Sequence, residues 1–166
     1  MYTIISGTNR TDSKTLKIAE QYQQFLIAKN IASHLISLVN LEVSNRNDQI
    51  RELEKEVLIP STKFIFVSPE YNGSIPGVLK SLIDNTDIQK VWWGKKALLV
   101  GVSTGRAGNL RGMEHLTGIL HYVKVVVHPN KLPISIVDKL MDSAGNIIDK
   151  LTLSVINEQL NEFISF

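Results

Sequence analysis

A chain of 166 residues is long enough for one domain with its own core and too short for two ordinary ones. It is 43% hydrophobic and 20% charged, no apolar run approaches the roughly 18 residues of a membrane span, and no basic, apolar leader precedes Tyr2; the expectation is a cytoplasmic protein without a membrane partner. With no Cys, disulfides, thiolate metal sites, iron–sulfur clusters and a cysteine nucleophile are excluded, while a net charge of +2 without any basic run suits a small anionic ligand and not nucleic acid.

In chain order, short β-rich runs alternate with longer helical patterns. Strands are predicted at Tyr2–Ile5, Ser33–Val39, Lys63–Ser68, Lys96–Ser103 and Lys124–Pro129. The three later runs are almost continuously apolar, as parallel strands covered on both faces are. Helices are predicted at Ser13–Lys29, Asn47–Leu58, Ser74–Asn85, Asn109–Tyr122 and from about Ser143 to Phe163, with apolar residues at three-four spacing in the first and fourth. Five strand-then-helix units predict an α/β fold: a doubly wound, five-stranded parallel sheet with helices on both faces, forming a single domain over residues 1–166. Ligands of such sheets bind beyond the carboxyl ends of the strands, where strand order reverses. The segments after strands one, three and four therefore carry the functional expectation.

After strand one, "SGTNRTDSKT" places hydroxyl groups at Thr8, Ser13 and Thr15 and a guanidinium at Arg10 beside a helix N-terminus, a combination suited to a terminal phosphate. Neither a Walker A motif nor a dinucleotide fingerprint follows the strand. Ser13 can equally serve as a plain helix cap. After strand three, "SPEYNGSIPG" sets Pro69, Gly73 and Pro76 around a stiff corner, with Ser74 placed to cap the next helix. The backbone amides of Glu70, Tyr71, Asn72 and Gly73 are expected to face the crevice, and Tyr71 to offer an aromatic face to a planar heterocycle. After strand four, "VSTGRAGNLRG" carries glycines at 105, 108 and 112 that would let the backbone lie against a ligand. Asn109 is placed to cap a helix there and Arg106 to meet a second ligand's phosphate. His34, His115, His121 and His128 show no ligand spacing, so no metal site is expected.

"SPEYNGSIPGVLKSLID" closely resembles the signature of the NADPH-dependent FMN reductase family, whose Pro-Glu-Tyr-Asn-Gly-Ser corner holds the flavin ring. The first loop is similar to that family's Gly-Ser-x-Arg-x-x-Ser phosphate loop, with Thr8 in place of the usual Ser. The fourth-strand loop matches from Ser103 to Gly108, with Arg106 and Ala107 where a Gly pair is frequent. The resemblance implies a flavodoxin-like fold of strand order 2-1-3-4-5. It implies an enzyme moving hydride from NADPH or NADH onto N5 of FMN and then to free flavin, a quinone, an azo compound or a metal oxyanion, with the chemistry resting on the flavin and no catalytic side chain. Under it Thr8, Arg10, Ser13 and Thr15 would hold the phosphate, Pro69, Glu70, Tyr71, Asn72 and Gly73 the ring, and Ser103, Thr104, Gly105, Arg106 and Gly108 the other flank. It also implies a homodimer or homotetramer in which a neighbouring subunit completes the pocket. The alternative of a different class is a flavodoxin-type electron carrier without its own NAD(P)H site; such carriers tend to be acidic, whereas this chain is slightly basic.

Overall fold

A computed structural model describes all residues, 1–166. Its centre is a parallel sheet of β1 (Tyr2–Ser6), β2 (Ser33–Ser37), β3 (Lys63–Pro69), β4 (Lys96–Val102), β5 (Val126–Val127) and β6 (Leu132–Ile134). The order is β2-β1-β3-β4-β5, with β6 also pairing β4. Successive side chains of a strand leave the sheet on opposite faces, so a strand apolar throughout feeds two cores. Ile5, Phe64, Phe66 and Leu99 point to one face and pack with Trp92, α3 (Gly77–Asp84) and α4 (Leu110–Tyr122). Ile4, Ile65, Val67, Leu98 and Val100 point to the other and pack on α1 (Lys14–Ala28) and α5 (Lys150–Ser165). The remaining helix, α2 (Asp48–Leu53), runs on into a π-helical turn, Glu54–Leu58. No helix is long and apolar enough to cross a membrane.

The expected order and both helical layers are present, and three boundaries and one cap differ for identifiable reasons. The fifth strand is split: His128 N–H still donates to Ala97 O at 2.7 Å, but Pro129 has no amide to continue a ladder, and pairing with β4 resumes only at Leu132 opposite Val100. The last helix begins at Lys150, not near Ser143. Asp142 Oδ1 there accepts the backbone N–H of Ala144 and Asn146, bending the chain into a turn, and the helix waits for Asp149, whose carboxylate caps Thr152 N–H at 2.8 Å. Ser74 does not cap α3, which starts at Gly77 behind Pro76. Asn109 does not cap α4 with its side chain either: it sits at φ 63°, in the left-handed region, and its side chain turns back toward β3.

Candidate active site

The register of β1, β3 and β4 brings Ser6, Val67 and Val100 level, so the loops leaving these strands surround one cleft of about 620 Å³. Its lining includes Thr8, Arg10, Ser13, Thr15, Pro69, Glu70, Tyr71, Asn72, Gly73, Ser103, Thr104, Gly105 and Arg106. Of the residues expected at the site, Gly108 alone does not line it. It holds φ +55°, and a Cβ there would lie 2.6 Å from Pro133, so its task is to let the loop close onto β6.

At the first loop, Ser13 Oγ accepts Leu16 N–H at 3.1 Å and caps α1. Accepting leaves its own O–H free to donate, so the cap and a phosphate contact are compatible. The backbone N–H groups of Thr11, Asp12, Ser13, Lys14 and Thr15 have no protein acceptor. They stand at the positive end of α1, where an anion is favoured. Lys14 is paired with Asp138, whereas Arg10 has no carboxylate partner. The Arg10 guanidinium lies 4.2 Å over the Tyr71 ring, and Tyr71 Oη is 2.6 Å from Thr8 Oγ1. Tyr71 is thus tied to the phosphate loop through its hydroxyl and to Arg10 through its ring.

The corner after β3 is a two-residue hairpin turn. Tyr71 N–H donates to Ser74 O at 2.9 Å and Ser74 N–H returns to Tyr71 O at 3.1 Å. Asn72 and Gly73 take φ 52° and 76°, the geometry that Asn-Gly favours. Two of the four amides expected to face the crevice are consumed: Glu70 N–H by Val102 O at 3.0 Å, Tyr71 N–H by the turn. Those of Asn72 and Gly73 remain without an acceptor. Ser74 Oγ, in place of capping α3, meets His115 Nδ1 at 2.8 Å on α4.

The third wall is shaped from within. Ser103 Oγ donates to Gly105 O and accepts Gly108 N–H, both at 2.9 Å, which leaves the N–H groups of Thr104, Gly105, Arg106 and Ala107 without acceptors along the rim. Gly112 faces Asn109 and not the cleft. Val137 also lines the cleft. Its own amide donates to Ser103 O at 3.1 Å, a contact more than thirty positions away along the chain that local spacing does not reveal. No group of three or more His, Asp or Glu side chains is gathered in a way that could hold a metal ion.

The arrangement therefore offers free main-chain donors from three loops, together with hydroxyls and one unpaired guanidinium at a helix N-terminus, around one cleft. Such a set suits an elongated ligand that carries a terminal anion, since donors without a protein acceptor and the positive end of a helix favour acceptors and negative charge. Comparison with known proteins agrees. The sequence model of the NADPH-dependent FMN reductase family matches residues 2–138. A 2-hydroxy-1,4-benzoquinone reductase of a Burkholderia species is 28% identical over 172 residues, covering 98% of this chain and 93% of that protein. An NAD(P)H-dependent FMN reductase of Pseudomonas aeruginosa is 33% identical over 111 residues, covering 64% and 59%. Among solved structures, the NAD(P)H:(acceptor) oxidoreductase FerB of Paracoccus denitrificans superposes with a TM-score of 0.85 over 99% of this chain and 94% of that one; at 23% identity this speaks to the fold.

Proposed function

Because the chain belongs to the NADPH-dependent FMN reductase family, we propose that the cleft above β1, β3 and β4 is the seat of FMN and that the whole of residues 1–166 serves as one FMN-binding domain. The protein is an FMN-dependent NAD(P)H oxidoreductase. The observation that carries the site assignment is the run of unpartnered amides from Thr11 to Thr15 beside Arg10. When bound there, FMN supplies the redox chemistry, accepting hydride from NAD(P)H and delivering electrons to a second substrate.

The residues divide the work. Thr8, Ser13 and Thr15 offer hydroxyls, and Arg10 a guanidinium, to the phosphate. Asn72 and Gly73 offer fixed N–H donors to the carbonyl and nitrogen edge of the ring, held there by the rigid hairpin turn. Thr104, Gly105 and Arg106 form the opposite flank, open to solvent, where a nicotinamide or an acceptor would approach. No side chain need transfer a proton for the hydride step; the chain's part is to position and shield the ring.

For the second substrate we favour a quinone, since a flat acceptor suits a cleft built around a flat ring and relatives carry quinone reductase names. A homodimer or homotetramer and a cytoplasmic location belong to the same reading; Leu110 and Tyr122, exposed by 52% and 83% on α4, are apolar surface that a subunit contact would cover. The deciding experiment is a visible spectrum of the purified protein, loaded with FMN if needed, followed by anaerobic NADPH addition and then a benzoquinone. Bleaching of the flavin band and its return with the quinone supports the reading. A flavin that NADPH and NADH leave oxidised contradicts it and favours an electron carrier.

A further inference from the structure

Asn109 stands apart from the residues that line the cleft. It is fully buried, it holds φ 63°, and its carboxamide is spent across the gap between two loops. Nδ2 donates to Ser68 O at 2.9 Å and to Pro69 O at 3.0 Å, with Ser68 Oγ at 3.3 Å. Its backbone N–H donates to Glu70 Oε2 at 3.2 Å.

Past the last ladder pair, Pro69 and Val102, the β3 and β4 chains diverge into the two walls of the cleft. Every hydrogen bond that joins residues 103–109 to residues 68–74 is made by Asn109. The acceptors lie immediately before the Glu70–Gly73 corner, so the clamp sets where that corner begins. The arrangement has a cost: Asn109 Oδ1 is buried with no partner, and such groups are rare and unfavourable. The floor beneath is cut to fit, since a Cβ on Gly112 would overlap the carboxamide oxygen.

We propose that Asn109 is a positioning residue for the flavin-ring end of the cleft, fixing the distance between its two walls through a carboxamide clamp on Ser68, Pro69 and Glu70. The inference rests on the FMN reading above. It differs from a general stabilising role in what it disturbs: losing the clamp loosens the ring end and leaves the phosphate end at Arg10 and Ser13 intact.

Asn109→Gly keeps a backbone free to take positive φ and removes the clamp. Gly112→Ala leaves Asn109 in place, favours the helix, and pushes the carboxamide off its seat from below. Both are compared with wild type for FMN and riboflavin affinity and for the visible bands of the bound flavin. Thr86→Val, which removes a buried hydroxyl bonded to Trp92 Nε1 at 2.9 Å far from the cleft, controls for lost stability. The expected result for either clamp variant is about a tenfold loss of affinity, the size of one or two net hydrogen bonds, equal for FMN and riboflavin and accompanied by shifted bands. Should Asn109→Gly fail to fold, Gly112→Ala alone decides. Wild-type affinity and bands in a folded clamp variant overturn the proposal, as does a loss confined to FMN or a matching loss in Thr86→Val. A wild-type protein that takes up neither flavin overturns the FMN reading and the clamp with it.

Discussion

At the scale of single residues, Arg10 is the sharpest test of how the cleft holds an anion. Its guanidinium has no carboxylate to neutralise it and is parked over the Tyr71 ring at 4.2 Å, a contact worth little at an exposed site and readily exchanged for a phosphate. Arg10→Ala is expected to weaken FMN by about 1.5–3 kcal/mol, the range for a hydrogen bond to a charged group, and to leave riboflavin, which has no phosphate, nearly unaffected. Titration of the variant with both flavins checks this; equal losses for the two would place Arg10 at the ring instead. Much of this residue-level picture was legible in the chain, because Asn-Gly at 72–73 and a hydroxyl-rich loop before a helix impose local geometry whatever surrounds them. Asn109 was not legible in the same way. A residue just before a helix reads as a cap, and only the tertiary approach of β3 shows its amide facing Ser68 and Pro69. Tyr71, expected to offer its aromatic face to a planar heterocycle, lines the cleft, and its hydroxyl contact with Thr8 is a tertiary feature that the local sequence does not announce.

At the scale of elements, strands were read well where both faces are covered, since a run such as that of β4 is apolar from end to end. Helix starts at Ser13, Asn47 and Asn109 were read to within a residue. Those of α3 and α5 come later than expected, at Gly77 and Lys150, because Ser74 turns to His115 and Asp142 first bends the chain before α5. The element that ties the layers together is α5, through a buried polar chain: Tyr22 Oη on α1 donates to Gln159 Oε1 at 2.7 Å, and Gln159 Nε2 donates to Leu99 O and Asn130 O. Burial pushes the Tyr22 phenol well above its ordinary value, keeping it a neutral donor. Tyr22→Phe leaves the Gln159 oxygen buried without a donor, an expected cost of about 1–3 kcal/mol in urea unfolding at unchanged m-value. The start of α5 adds a pH dependence. Hydrogen bonds from the Thr152 backbone and hydroxyl hold the Asp149 carboxyl below its ordinary value, and those from Lys90 and Gln89 do the same for Asp87. A carboxyl lower in the folded than in the unfolded state contributes stability that is complete above its unfolded value, about pH 4, and is lost as pH falls through the folded one. Asp149→Asn keeps an acceptor without the titration, so melts taken from neutral pH downward are expected to show a shallower acid loss for the variant; parallel curves would remove the cap from the account.

At the scale of the whole molecule, the cleft is where three crossovers of the sheet begin, at the carboxyl ends of β1, β3 and β4, and few contacts join them. The first loop meets the second through Thr8 and Tyr71, and the second meets the third through Asn109. A ligand touching all three would tie together the ends of β1, β3 and β4, and binding to the folded state alone raises stability by RT ln(1 + [L]/Kd). With FMN at a hundredfold excess over its Kd this is about 2.7 kcal/mol, and for a domain of this size each kcal/mol moves Tm by about 2–4 °C. A rise of roughly 5–10 °C is therefore expected on adding FMN. At the same concentration riboflavin should give a smaller rise, because it leaves the amides of Thr11 to Thr15 without an anion. Inorganic phosphate at high concentration should raise Tm modestly by itself and shrink the further gain from FMN, since both would compete for the N-terminus of α1. Scanning the protein with FMN, with riboflavin and with FMN in phosphate separates the ring and phosphate contributions in one experiment. Identical shifts for FMN and riboflavin in the absence of phosphate would mean that the helix N-terminus and Arg10 take no part in holding the cofactor.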